Sequence, residues 1–180
     1  MIPEARIERT ATGLVPVTDG WYVLNAAEAP WRERPGRGAF CELEGDVDFP
    51  QLGINIQVLG PGEPMAMYHW EADQENFLVL AGAATLVVEG EERSLRQWDF
   101  VHCPPGANHV IVGAGDAPCV ILAAGGRIDS TGPNWGGYRV DETAGRLGAS
   151  VEEETTDPKQ AYARFPPAEQ VGYRVGWLPE

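Results

Sequence analysis

Between residues 52 and 123 short apolar runs alternate with turn formers, and this rhythm is the tightest constraint on what the chain can become. Ile54, Ile56 and Val58 alternate with Asn55, Gln57 and Leu59, a period of two that sends successive side chains to opposite faces of a strand. Gly60-Pro61-Gly62 ends that strand. Residues 65–70 read as the next one, and residues 77–80 (Phe-Leu-Val-Leu) form a continuous apolar run closed by Ala81-Gly82. Residues 85–89 follow, with a hairpin turn at Gly90. Residues 94–102 read as one extended stretch, and residues 104–108 as a turn. Residues 110–112 and 119–123 complete the series, separated by a Gly-rich turn at 113–116. Short strands with turn signals at this spacing predict an all-β antiparallel sandwich or barrel. The 22 Gly and 15 Pro of the 180 residues fit many tight connections.

The flanks are less regular. Residues 21–24 and 40–43 are expected as strands, and residues 30–38 as a charged, turn-rich loop. Residues 132–137 read as a loop. A helix is expected over 141–154, capped by Asp141, with Gly145 and Gly148 against it. A second is expected to start at Asp157-Pro158 and to run to Phe165 before Pro166-Pro167. The length suits one domain. Its expected parts are flanking strands and loops over 1–50, a barrel core over 51–126, and a partly helical C-terminal extension over 127–180 that packs on the barrel.

The net charge of −14, from 27 acids and 13 bases, disfavours a nucleic-acid partner by repulsion. Lys159 is the only lysine; the arginines show no cluster that reads as an anion site and are expected as solvated surface residues. Cys41, Cys103 and Cys119 form no regular framework, which fits buried thiols in a reducing compartment. The N-terminus is too polar for a signal peptide and no apolar run is long enough to span a bilayer. No membrane association and a cytoplasmic location are the default expectations.

All three histidines fall within residues 69–109. His69 and Glu71, two apart, share a face of a strand. Glu75 follows after a bend, and His109 follows the Pro104-Pro105-Gly106 turn. If these strands lie side by side with those faces inward, two imidazoles and one or two carboxylates converge on a site suited to Fe, Mn, Zn or Ni. An isolated strand histidine is more often a satisfied wall residue, and a glutamate more often faces water. Phe77, Val79, Met65, Met67, Trp98 and Phe100 are cavity-lining candidates by alternation, with ordinary core packing the commoner fate; Gln57 and Tyr68 are weaker candidates.

The stretch from Gly62 to Gly113 resembles the two motifs of the cupin superfamily. His69-Trp70-Glu71, three residues, Glu75, six residues and Gly82 match the first, with Glu71 where the family has a second histidine and Gly62 one position early. Pro104-Pro105-Gly106, two residues and His109 match the second, with Trp98 in place of its first glycine and Gly113 in place of its asparagine. The resemblance implies a cupin-type antiparallel β-barrel, a jelly roll or double-stranded β-helix. It also implies one divalent metal ion held by His69, Glu75 and His109. Glu71 either ligates as well or turns away, in which case it is a candidate general base. His102 could replace the missing histidine but is expected in the barrel wall, with Cys103 as a buried thiol. The activity implied is oxygenase- or isomerase-type chemistry on a small molecule; the alternative is non-catalytic binding of a sugar-like ligand. Cupin barrels often pair through an edge sheet, so a homodimer using the 77–80 run is a further expectation, although burial under the C-terminal extension explains that run equally well.

Overall fold

The structure, a computed structural model, describes residues 1–129, 132 and 134–179. Among them the first strands are β1 (Ile7–Arg9), β2 (Leu14–Pro16), β3 (Trp31–Glu33), β4 (Ala39–Cys41) and β5 (Leu52–Leu59). Next come β6 (His69–Glu71), β7 (Glu75–Ala81), β8 (Ala83–Val88), β9 (Glu91–Arg96) and β10 (Phe100–Cys103). The series continues with β11 (His109–Ala114), β12 (Cys119–Gly126), β13 (Gly136–Tyr138) and, after two short helices, β14 (Glu169–Val171). The helices are α1 (Glu142–Arg146) and α2 (Pro158–Ala161). No helix is long and apolar enough to cross a membrane among the described residues.

Apart from the small β1-β2 pair, the strands form two antiparallel sheets. One has the order β10-β7-β12-β5-β4-β3-β14 and the other β13-β6-β11-β8-β9. Side chains from both meet in one core: Leu59, Phe77, Val79 and Ile121 from the larger sheet, Leu86, Leu95 and Ile111 from the smaller. The architecture is an all-β antiparallel barrel, one of the two forms that the turn rhythm predicts.

The continuous apolar runs have a reason. Ile111 faces the inner core, while Val110 and Val112 face outward and are covered by Tyr68, Ala144 and Ala149 from the segment around α1. On the larger sheet Val58 and Val120 face outward under Trp31, Ala29 and Cys41, with Trp177 and Leu178 of the C-terminal tail packed against them. A strand buried on both faces loses its polar phase. In β5 the phase is inverted relative to a simple surface strand. Ile56 and Val58 belong to this outer layer, whereas Asn55 and Gln57 line an internal cavity. In the 77–80 run, Phe77 and Val79 fill the inner core and Leu80 packs into the outer layer.

Several local expectations are corrected. Residues 94–102 are two strands, β9 and β10, broken by a turn in which Trp98 has φ 74°. Trp98 and Phe100 are 66% and 64% exposed, so neither lines the cavity. The charged segment 30–38 contains β3, paired with both β4 and β14. Residues 21–24 form no strand; Trp21 makes only an isolated bridge with Glu4. Of residues 65–70 only the last two are in a strand. Asp141 does cap α1, its carboxylate accepting from Ala144 N at 2.7 Å, but the helix ends at Arg146 and Gly148 turns the chain with φ 70°. Asp157 likewise caps α2, which stops at Ala161 rather than at Phe165. Of the expected loop at 132–137, Pro133 lies outside the described residues, and Gly136 and Gly137 are in β13.

Candidate metal centre

The site is built on a row of cross-strand neighbours. His69 on β6 is the direct register partner of His109 on β11 and of Tyr138 on β13. Directly opposed residues in antiparallel strands project from the same face, so both imidazoles and the phenol point into the barrel. The imidazole centroids are 4.8 Å apart, and the Tyr138 ring is 5.9 Å from that of His69. Glu75 enters from the opposite sheet at the start of β7, beside Gly125 of β12.

The two motif turns hold this register. Gly106, with φ 84°, sits in the left-handed region at the turn before β11, and its N–H donates to the Glu71 carbonyl at 2.8 Å, which ties the second motif to β6. Gly82 has φ 75°, and a Cβ there would meet the Pro118 carbonyl oxygen at 2.4 Å. Trp98 stands at a position where the family motif has glycine, and its positive φ shows why glycine suits that turn.

His109 Nε2 lies 3.0 Å from Glu75 Oε2, and His69 Nε2 lies 3.5 Å from the same oxygen. Both imidazoles are buried, with 1% of His109 and 7% of His69 exposed. His69 Nδ1–H donates to the Met67 carbonyl at 2.8 Å and His109 Nδ1–H to the Ala107 carbonyl at 3.0 Å. A carbonyl only accepts, so each Nδ1 carries the proton and each Nε2 is the nitrogen turned to the centre. His109 Nε2 and Glu75 Oε2 are buried yet have no hydrogen-bond partner; their 3.0 Å approach lacks hydrogen-bond direction. Donor atoms that share a small space without bonding one another are the arrangement expected around a cation. One such atom from each of His69, Glu75 and His109 lies within 4.8 Å of the other two, so this trio fits a metal ion.

The electrostatics of these side chains follow from the same contacts. Burial alone would lower both imidazoles. Contact with Glu71 and Glu75 outweighs it and raises His69 to about 10. Contacts with Cys103 and Glu75 raise His109 to about 9. Burial alone would raise Glu75, but the facing imidazoles hold it down at about 2. Burial, helped by contact with Tyr162, raises the Tyr138 hydroxyl, which keeps it a neutral donor.

Glu71 stands apart. Its Oε1 is 3.7 Å from His69 Nε2, and it lines the cavity but falls outside the tight trio. His102 faces outward, with Nδ1 2.8 Å from Asn76 Oδ1, because Val101 and Cys103 take the inward positions of β10. Cys103 is buried in the inner core. Phe77 and Met65 line the cavity as alternation suggested, and so does Gln57. Tyr68 does not; it packs in the outer layer and its hydroxyl accepts from Gly90 N. The cavity, about 360 Å³, is also lined by Arg34, Asn55 and Tyr162. Arg34 corrects the picture of solvated surface arginines. The sequence signal that could have found it is weak, a charged loop flanked by apolar strand residues.

Residues 55–125 match the family model described as "Cupin domain". No curated protein matches the sequence. Among solved structures, a provisionally assigned sugar phosphate isomerase from Acidithiobacillus ferrooxidans is 32% identical over 44% of this chain and 52% of its own, with a TM-score of 0.42. A sugar phosphate isomerase of the cupin superfamily from Silicibacter pomeroyi is 29% identical over 51% and 60%, with a TM-score of 0.46. A DMSP lyase from Ruegeria pomeroyi is 24% identical over 50% and 47%, with a TM-score of 0.43. The chain thus spans between about half and three fifths of these proteins, and at such TM-scores the likenesses do not bear on its substrate. The domain match falls on the strands that carry both motifs and all three members of the trio, and this stretch of the chain is a cupin domain.

Proposed function

We propose that this chain is a metal-dependent enzyme acting on a small molecule, with one divalent ion (Fe, Mn, Zn or Ni) held by His69 Nε2, His109 Nε2 and the Glu75 carboxylate. The observation that carries this reading is the buried pair of partnerless donor atoms, His109 Nε2 and Glu75 Oε2, facing His69 Nε2. Two imidazoles and one carboxylate leave coordination positions open, where such an ion supplies Lewis acidity or redox chemistry of the oxygenase or isomerase type.

The chain's own residues do the rest. The Met67 and Ala107 carbonyls fix both imidazoles in one tautomer. Glu71, on the cavity wall next to the trio but outside it, is placed to take a proton from a bound molecule as general base. Tyr138, kept neutral by its surroundings, is placed to donate a hydrogen bond to an oxygen that gains charge.

Elemental analysis of the purified wild type beside His69→Ala and His109→Ala tests the reading. The expected result is near-stoichiometric metal in the wild type and a loss of affinity of more than about 100-fold in each variant, with the fold retained by circular dichroism. Full metal retention in either variant removes that residue from the ligand set.

A further inference from the structure

Arg34 lies in the wall of the same cavity, on the turn that follows β3. Its Nη2 donates to Gln57 Oε1 at 2.6 Å and its Nη1 to the Met65 carbonyl at 3.1 Å. Gln57 in turn donates to Asn55 Oδ1 at 2.6 Å, so a chain of polar groups runs along the wall. The guanidinium carbon stands 5.0 Å from the centre of the Phe40 ring. Burial and the nearby Arg37 lower Arg34 to about 10, which still leaves it charged at neutral pH.

What the group lacks is an anion in direct contact. Among the described residues no carboxylate lies within 4.0 Å of its nitrogens, whereas Arg127 on the same cavity is gripped by both oxygens of Glu44 at 2.7 Å. A buried cation without a counter-charge is unfavourable and is expected where a ligand supplies one. The charge balance agrees. Glu71 and Glu75 offset a divalent ion, and imidazoles are neutral as ligands, so Arg34 keeps a positive charge with no anion in contact; Glu63, the carboxylate that acts on it, does so from beyond 4.0 Å.

We propose that the cavity takes a small organic monoanion, its carboxylate set against the free N–H donors of Arg34 and a second oxygen directed at the ion held by His69, Glu75 and His109. The second half of this statement rests on the metal reading above; the first half does not. A cavity of about 360 Å³ has room for a compact hydroxy or oxo acid.

The test titrates three probes of one skeleton, glycerate, glycerol 3-phosphate and glycerol, by calorimetry into Co²⁺-loaded and metal-free protein. Glycerate is expected to bind the loaded wild type at least about tenfold more tightly than glycerol, from charge-assisted hydrogen bonds to the guanidinium. Arg34→Gln is expected to bring the two within about twofold while Co²⁺ uptake is unchanged, and Arg34→Lys to keep part of the preference. An undiminished preference in Arg34→Gln, equal binding of glycerate and glycerol by the wild type, or tighter binding of the phosphate than of the carboxylate each overturns the proposal. If the wild type takes up neither Co²⁺ nor any of Fe²⁺, Mn²⁺, Zn²⁺ and Ni²⁺, the metal reading fails by itself. The metal-free titration then decides Arg34: a glycerate preference abolished by Arg34→Gln upholds it, and no preference overturns it.

Discussion

His69 and His109 each tie Nδ1 to a backbone carbonyl two residues earlier, which leaves Nε2 to face Glu75. In the metal-free protein that nitrogen holds a proton at neutral pH, since the two groups are raised to about 10 and about 9. A cation must displace both protons. Metal binding at pH 7 is therefore expected to release about two protons, and affinity to climb with pH until the two raised values are passed. Calorimetry in buffers of different ionisation enthalpy reads this directly; binding without proton release would mean that the ion does not sit on the imidazoles. The sign for stability is the reverse. Groups raised above their unfolded value near 6.5 contribute stability that is fully present below that value and is lost as pH rises through about 9 to 10. The metal-free protein is thus expected to weaken on alkalinisation. Trp98 offers a second residue-scale test. It holds a left-handed backbone conformation while 66% exposed. Trp98→Gly is expected to stabilise the fold by about 0.5–1 kcal/mol, the relief of backbone strain exceeding glycine's entropic cost. Denaturant melts check it, and a loss of stability would show that the indole contributes contacts worth more than the strain.

At the scale of elements, the readable parts of the sequence were those governed by local rules. β5, β7, β8, β11 and β12 coincide with apolar runs bounded by Gly or Pro, because a strand buried on one or both faces must be apolar in that pattern. The motif spacing likewise placed the trio, since His69 and His109 become register partners once β6 and β11 pair. What escaped depended on distant partners. Trp31-Arg32-Glu33 reads as loop by composition, yet it is a strand because β4 and β14 flank it, the latter more than a hundred residues away. The single extended stretch expected at 94–102 was broken by a positive φ that a tryptophan gives no reason to foresee. α1 ended early because Gly145 and Gly148 weaken it, a signal visible in the sequence. Arg34 was hidden for the same reason as β3. Only the fold brings that turn to Gln57 and Met65.

For the whole molecule, the barrel is a middle layer. Segments from both ends of the chain cover its outer faces, with Trp31 at the centre of the larger cover. Trp31 is fully buried, its Nε1 donates to the Ala26 carbonyl at 2.9 Å, and its ring lies 4.9 Å from that of Trp177 and 6.0 Å from that of Tyr173. Trp31→Ala is expected to cost about 3–5 kcal/mol in chemical denaturation, through the cavity left between sheet and tail. A loss below 1 kcal/mol would show that the tail packs independently of the barrel. The inner layer has a different task, holding a polar cavity whose imidazoles and carboxylate come from opposite sheets, so that the site exists only when the barrel is closed. Crystals of the metal-loaded protein, measured at the absorption edge of the bound element, show where the ion sits. One anomalous peak per chain is expected, bonded to His69 Nε2, His109 Nε2 and the Glu75 carboxylate. A peak elsewhere, or none in a protein shown to carry metal, would contradict this placement.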